Sequence, residues 1–249
     1  MSQNIYDSLD FFKSYSKYPR MEKGLAGASE WPLLESMLPS SLVSKTVLDL
    51  GCGDGWFSRW ALDQGAKAVC AMDVSQNMLS RARALSPSDR YSAITFCQVD
   101  MEVLDGPGGL DPAETHDVAS SGLALHYLVN LEGALRQVFR SLRPGGLFVF
   151  SVEHPIFTAP QRPGFKKSGV AATAHSVWPL SSYFAEGERE VDWLGTPVRK
   201  QHRTISRLVV PSPLSLVLTL MLTRVTYSKL PQDTTYRRVR SCSRGRMGC

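Results

Sequence analysis

The chain has 249 residues, of which 43% are hydrophobic and 20% are charged, and its formal net charge is +5. This length allows one sizeable hydrophobic core and one domain, or two at most. No long apolar run is present, and the N-terminus lacks a basic region followed by an apolar stretch. Neither a membrane span nor a secretory signal is therefore predicted.

The charge is distributed unevenly along the chain. Residues 206–249 contain eight Lys or Arg and one acid, whereas residues 1–205 contain 20 Lys or Arg and 22 acids. The basic pI of about 9.0 is thus a property of the C-terminal segment. The near-neutral remainder argues against a nucleic-acid-binding surface there. For the basic tail, a disordered solvated end is favoured over binding to RNA or anionic lipid.

The cysteine spacing predicts neither a zinc site nor a redox pair, and no metal site is expected. A reduced, cytoplasmic protein is the simplest interpretation. The five cysteines are Cys52, Cys70, Cys97, Cys242 and Cys249.

Between residues 46 and 153, apolar runs alternate with amphipathic segments. Strands are predicted at 46–50, 68–73, 93–100, 116–123 and 147–153. One helix is predicted after the first strand, and a second begins after Ser75, which serves as its N-cap. A third is predicted over 130–142, with Asn130 as its cap. The residues "RPGG" (143–146) predict a turn. This alternation predicts an α/β fold with a mostly parallel central sheet and helices on both faces.

Ligands of such sheets bind at the carboxyl ends of the strands. That rule selects Asp49 to Gly55, Asp73, Asp100-Met101, Ser120 to Leu123, and Glu153-His154.

The first of these stretches, "DLGCGDG" (49–55), has glycines that permit positive φ and close approach of a ligand to the backbone. A nucleotide-hydrolase phosphate loop needs Lys and Ser or Thr next, but Trp56-Phe57 follow. A dinucleotide fingerprint needs a small residue where Trp56 stands, which weakens that interpretation without excluding it. S-adenosylmethionine, which has no phosphate, is the third possibility.

"VLDLGCGDG" resembles the first motif of class I S-adenosylmethionine-dependent methyltransferases, and further matches follow in order to residue 155. The chain resembles small-molecule members of the ubiquinone-biosynthesis-like group. The resemblance implies a Rossmann-like fold and S-adenosylmethionine as cofactor. It also implies cofactor-binding roles for a set of residues: Asp49 and the glycines Gly51 and Gly53 in the loop, Asp73 at the ribose hydroxyls, Asp100 and Met101 at the adenine, and Leu123 beside the transferred methyl.

In this family an N-terminal helical stretch often covers the cofactor, and residues 1–45 are expected to do so here. Tyr15 and Arg20 would reach the methionine end, Arg20 through the carboxylate. That both are ordinary surface residues is equally open. Residues 46–154 would then form the S-adenosylmethionine-binding core.

His126 and His154 follow the fourth and fifth strands and are the candidate catalytic residues. A near-neutral histidine could take a proton from a hydroxyl or amine acceptor. Both histidines could instead only shape the pocket, and Glu153 and Tyr127 are weaker candidates. The expected partner is a small-molecule methyl acceptor.

Residues 155–205 form a long connection, and such connections usually carry function. We expect a substrate-covering insertion, in which four aromatic residues line an acceptor pocket or anchor the insertion on the sheet. They are Trp178, Tyr183, Phe184 and Trp193.

Residues 206–249 depart from the family pattern, which would supply a helix and two more strands. "LSLVLTLMLT" (214–223) could form one strand, but the prolines before it oppose a helix. We hypothesise that a frameshift or altered splice has replaced the native end. The alternative function is therefore a cofactor-binding but catalytically impaired protein. A nicotinamide-dependent oxidoreductase is disfavoured, since Trp56 follows the loop and no catalytic Tyr-x-x-x-Lys pattern is present.

Overall fold

The computed structural model describes residues 3–105, 109–110, 115–169, 175–209 and 221–223. Its centre is a parallel sheet with the strand order β3-β2-β1-β4-β5. The five strands are β1 (Thr46–Leu50), β2 (Ala68–Asp73), β3 (Ile94–Gln98), β4 (His116–Gly122) and β5 (Leu142–Glu153). The predicted α/β fold with a parallel central sheet is confirmed.

Helices precede, connect and follow these strands. Three belong to the N-terminal segment: α1 (Leu9–Tyr15), α2 (Pro19–Lys23) and α3 (Trp31–Met37). Among the residues that the structure describes, six follow: α4 (Trp56–Asp63), α5 (Gln76–Ala84), α6 (Ser88–Tyr91), α7 (Leu131–Ser141), α8 (Pro155–Thr158) and α9 (Ile205–Val209). Short 3-10 helices lie at Ile5–Asp7, Gly24–Gly27, Met101–Val103 and Leu125–Tyr127.

Both predicted N-caps are present, because each side chain accepts a hydrogen bond from a backbone N–H that the first helical turn leaves unpaired. The Ser75 hydroxyl accepts from the Met78 N–H at 3.1 Å, at the start of α5. The Asn130 Oδ1 accepts from the Gly133 N–H at 3.0 Å, at the start of α7.

The sheet has a hydrophobic core on each face, because successive side chains of a strand point to opposite faces. In β1, Val47 joins one core with Phe57 of α4, whereas Leu48 and Leu50 join the other with Val138 of α7. All three β1 side chains are fully buried. Helices therefore cover both faces, as predicted.

The expected turn at 143–146 is wrong in detail. Strand β5 begins at Leu142, which pairs with His116, and the register then shifts so that Val118 pairs with Leu147. The "RPGG" residues form an irregularity within the strand, where Gly145 adopts a φ of +81°. The third strand also ends earlier than predicted, at Gln98, so Asp100 lies in the loop beyond it.

Two antiparallel hairpins occupy the described part of the predicted insertion. The first pairs β6 (Lys166–Ser168) with β7 (His175–Val177), and the second pairs β8 (Gly187–Trp193) with β9 (Thr196–His202). Of the predicted tail strand, β10 (Met221–Thr223) runs parallel to β5 at the sheet edge. The remainder of 210–249 lies outside the described residues. In the described part of the chain, no helix combines the length and apolarity that crossing a membrane requires.

Candidate active site

A cavity of about 370 Å³ opens at the carboxyl ends of the strands. This is the position and the size range typical of small-molecule sites in α/β proteins. All eight residues proposed to bind the cofactor line it: Asp49, Gly51, Gly53, Asp73, Asp100, Met101, Leu123 and Arg20. His126 lines it as well.

The glycine loop connects β1 to α4. Gly51 and Gly53 have φ values of +67° and +55°, in the region that favours glycine. A Cβ at Gly51 would lie 2.5 Å from the Cβ of Ala124, whereas one at Gly53 would meet nothing within 4 Å. Position 51 therefore favours glycine because of both its positive φ and the lack of space for a Cβ, whereas position 53 favours it because of its positive φ alone.

Asp73, at the end of β2, fixes this loop. Its Oδ2 accepts from the Gly53 N–H at 2.9 Å and its Oδ1 accepts from the Ser75 N–H at 2.8 Å. Burial raises the pKa of the Asp73 carboxyl, although these hydrogen bonds act in the opposite direction. Each carboxylate oxygen can accept more than one hydrogen bond, so both Asp73 oxygens can still accept hydrogen bonds from a ligand.

Asp49 lies buried beneath the loop. Its Oδ2 accepts from the Ser58 hydroxyl at 2.5 Å, which joins the end of β1 to α4. Burial raises the pKa of the Asp49 carboxyl to about 7, against the effect of the Ser58 hydrogen bond. Asp49 therefore braces the loop, and its charge changes near neutral pH.

Asp100 and Met101 lie beyond β3. The Asp100 Oδ1 accepts from the Glu102 N–H at 3.0 Å and caps the short helix that begins at Met101. Leu123, beyond β4, has a φ of +56°, which is unusual for a side chain of this size. Its N–H donates to the Ser151 carbonyl at 3.0 Å, so β5 holds this conformation in place.

The N-terminal segment closes one side of the cavity. Arg20 forms an ion pair with Glu30, and both side chains line the cavity wall. Gly24 lies against the indole of Trp56, where a Cβ would come within 2.4 Å of the ring, and its φ is +59°. The segment thus packs directly on the residue that follows the glycine loop.

Tyr15 also lines the cavity, but its ring packs within an aromatic group. It stacks on Phe11 and Tyr18 and meets Trp193 of the second hairpin edge to face. Burial raises the pKa of the Tyr15 hydroxyl, so this side chain is neutral at physiological pH.

At the opposite end, His126 of the short helix after β4 meets Glu153 at the end of β5. The His126 Nδ1 accepts from the Glu153 N–H at 3.4 Å. Burial lowers the pKa of His126 to about 4, and the positive charge of Lys200 acts in the same direction although Glu153 opposes it. The near-neutral pKa that would suit a general base is therefore not found at this histidine.

The structure does not bring His154 to this end of the cavity. Its Nδ1 accepts from the Ile156 N–H at 3.0 Å and caps α8, and the side chain does not line the cavity wall. The residue follows a strand end, as predicted. A helix begins directly after it, however, and the His154 ring caps that helix.

The four aromatic residues of the insertion also separate. Trp193 lines the cavity, whereas the other three do not. Phe184 is 90% exposed, the Trp178 Nε1 donates to the Ile156 carbonyl at 2.9 Å, and the Tyr183 hydroxyl accepts from the Ile205 N–H at 3.0 Å. Both hydrogen bonds lie within residues 155–205, so Trp178 and Tyr183 hold parts of the insertion to one another.

Sequence reasoning missed Lys200, whose ammonium is buried beside Glu153. Its Nζ lies 2.5 Å from the Glu153 Oε1. Lys200 shares the buried face of β9 with Val198 and His202. The alternation of side chains along a strand was the available signal, since residues two apart point to the same face.

Comparison with known proteins agrees with this geometry. Residues 48–150 match the family model described as a methyltransferase domain. The crystal structure of an S-adenosylmethionine dependent methyltransferase from Mesorhizobium loti superposes with a TM-score of 0.63 at 42% sequence identity, covering 74% of this chain and 78% of that one.

Two curated relatives differ in how much they share. An uncharacterized protein of Haemophilus influenzae is 31% identical over 209 residues, which cover 83% of this chain and 80% of the relative. A malonyl-[acyl-carrier protein] O-methyltransferase of Enterobacter lignolyticus is 33% identical over 137 residues, and the match spans only 48% of its length.

The long match to the Mesorhizobium loti enzyme and the family model over the sheet identify the fold as Rossmann-like and the methyl donor as S-adenosylmethionine. The chain belongs to the S-adenosylmethionine-dependent methyltransferases.

Proposed function

We propose that this chain transfers the methyl group of S-adenosylmethionine to a small-molecule acceptor by in-line displacement. The observation that carries the proposal is one cavity that extends from the glycine loop and Asp73 to His126, Glu153 and Trp193. A cofactor end and an acceptor end in the same cavity are what a direct transfer between two bound molecules requires.

At the cofactor end, the donor set fits S-adenosylmethionine. The glycine loop offers close backbone approach, Asp73 offers acceptors for the ribose hydroxyls, and Asp100 with Met101 would hold the adenine. Arg20 is available for the methionine carboxylate, and its pairing with Glu30 supports its orientation towards the cavity. The loop is not followed by the lysine that a phosphate-binding loop would need.

When bound, S-adenosylmethionine supplies a methyl group already activated by its sulfonium. The protein therefore has to align the acceptor and exclude water. The neutral His126 shapes the wall through its hydrogen bond to the Glu153 backbone. A general base is needed only where the acceptor loses a proton during attack.

Binding measurements test the proposal. Purified protein is titrated calorimetrically with S-adenosylmethionine, S-adenosylhomocysteine and NADH, and formation of S-adenosylhomocysteine is then followed with a panel of small alcohols, amines, acids and a malonyl thioester. We expect binding of the first two ligands and turnover on a small acceptor. Preference for NADH would overturn the cofactor assignment, and tight cofactor binding without turnover would favour the catalytically impaired alternative.

A further inference from the structure

We propose that Glu153 selects the acceptor and that Lys200 positions Glu153, so that the acceptor is a small molecule with an aromatic or apolar body that presents a hydroxyl or an amine N–H and no negative charge. This proposal rests on the proposed function, because it concerns the acceptor end of the same cavity.

Glu153 forms a partition between two spaces. It lines the main cavity and also a small second cavity beneath the β8-β9 hairpin, which Lys200 lines as well. Lys200 is only 5% exposed. Because the ammonium reaches Glu153 from the hairpin side, the carboxylate presents its remaining hydrogen-bonding capacity to the main cavity.

Two aromatic rings contact the Lys200 ammonium, in addition to the Glu153 carboxylate. The Lys200 Nζ lies 5.1 Å from the centroid of the Trp193 ring and 6.0 Å from that of Tyr127. Both distances fall within the range of cation–π attraction. The lysine is therefore fixed by its surroundings, and it fixes the orientation of Glu153 in turn.

The side of this wall that faces the main cavity therefore carries the negative charge of Glu153. Burial acts to raise the pKa of Glu153, but the protonated His126 at acid pH and, through its charge and its hydrogen bond, Lys200 act in the opposite direction and lower that pKa. The carboxylate is thus ionised at neutral pH, whereas the neighbouring His126 is neutral. An anionic acceptor group placed here would face a carboxylate, with the compensating ammonium on the far side.

The remaining wall suits an apolar or aromatic body. Tyr6, Tyr127 and Trp193 line this part of the cavity, and the Tyr6 and Tyr127 hydroxyls lie 3.4 Å apart. Rings of this kind pack well against planar or apolar groups. A donor group directed to Glu153 and a ring packed on these side chains would orient the acceptor.

Three probes of equal ring size test the selection. Benzyl alcohol, benzylamine and benzoate are titrated into the full chain saturated with S-adenosylhomocysteine, and binding is followed by saturation-transfer NMR. We expect the alcohol and the amine to bind at least about tenfold more tightly than benzoate, because benzoate meets like charge. Equal or tighter binding of benzoate, or no binding of any probe, would overturn the proposal.

Variants test whether Glu153 and Lys200 cause the discrimination against benzoate. In Glu153→Gln the discrimination against benzoate should fall below about threefold, whereas Glu188→Gln on the exposed face of β8 should retain it. The double variant Glu153→Gln with Lys200→Met removes both charges, which avoids leaving a buried ammonium unpaired. It should fold, bind S-adenosylhomocysteine as the wild type does and lose the discrimination. Retained discrimination in the double variant would contradict the assignment, whereas failure of the wild type to bind S-adenosylhomocysteine would instead contradict the proposed function.

Discussion

The two ends of the cavity are built in different ways. Most of the cofactor end is formed by residues at or just beyond the ends of β1, β2 and β3, and the apolar pattern of each strand predicts about where it ends. Arg20 of the N-terminal segment and Leu123 beyond β4 complete it. The acceptor end combines Tyr6 from the N-terminal segment, His126 and Glu153 from the sheet, and Trp193 from the insertion.

This difference separates local from tertiary determinants. A parallel sheet brings its strand ends to one edge, so all of the cofactor end except Arg20 follows from the order of strands in the chain. The acceptor end depends on how the N-terminal segment and the β8-β9 hairpin pack against that edge. Changes at the cofactor end should therefore affect loop geometry and cofactor affinity, and changes at the acceptor end should leave them intact.

The largest effect is expected from Gly51→Ala. The substitution adds positive-φ strain and places a Cβ 2.5 Å from that of Ala124, and we expect a loss of about 3 kcal/mol in the free energy of unfolding. Gly53→Ala is the matched control, which incurs the backbone strain alone, about 1 kcal/mol. Urea denaturation measures both. Equal losses would show that packing of the loop on Ala124 is unimportant.

The next effect concerns the affinity for the cofactor. Asp73→Ala should weaken S-adenosylmethionine binding by about 2 kcal/mol or more, since ribose hydroxyls would be left unpaired and the Gly53 N–H would lose its acceptor. Isothermal titration calorimetry measures the change. Asp63→Ala, which removes an exposed ion pair with Arg90, serves as control and should not alter affinity. Unchanged affinity in Asp73→Ala would move the ribose contact elsewhere.

At the acceptor end, His126 should couple stability to acid pH. Its pKa is lowered from 6.5 to about 4 in the folded chain, so the unfolded chain binds more protons between these values and stability falls as the pH falls. The contribution is about 2 kcal/mol between pH 6.5 and pH 4.5. His126→Gln should lose correspondingly less stability than the wild type over this interval, measured by urea denaturation at both pH values.

Asp49 acts in the opposite direction over much of the same range. Its raised pKa means that the folded chain binds the proton more tightly, so stability rises as the pH falls from about 7. The comparison of His126→Gln with the wild type cancels this contribution, because Asp49 is present in both. Identical pH dependence of the two proteins would contradict the lowered pKa of His126.

The smallest effect is expected for Phe184→Ser. The side chain is 90% exposed and does not line the cavity, so the free energy of unfolding and the affinity for S-adenosylhomocysteine should each change by less than about 0.5 kcal/mol. Thermal denaturation and calorimetry measure these quantities. A marked loss of benzyl alcohol or benzylamine binding would show that Phe184 belongs to the acceptor end.

The sequence predicted the sheet and the two N-caps and selected eight residues that line the cavity, because these depend on periodicity and on short motifs. It misplaced the start of β5, since Gly145 accommodates an irregularity that resembles a turn in sequence. It did not separate Trp193 from the exposed Phe184, and it missed Lys200 altogether. Those assignments depend on how the hairpin packs on the core, which no local pattern records.

The contact between Gly24 and Trp56 has an evolutionary consequence. A chain that keeps the indole at position 56 has no space for a side chain at position 24, where even a Cβ would fall 2.4 Å from the ring. The two positions should therefore vary together among relatives, with glycine at 24 wherever tryptophan stands at 56. Relatives with a small residue after the glycine loop would be released from the packing part of this constraint, so that only the positive φ at position 24 would still favour glycine there.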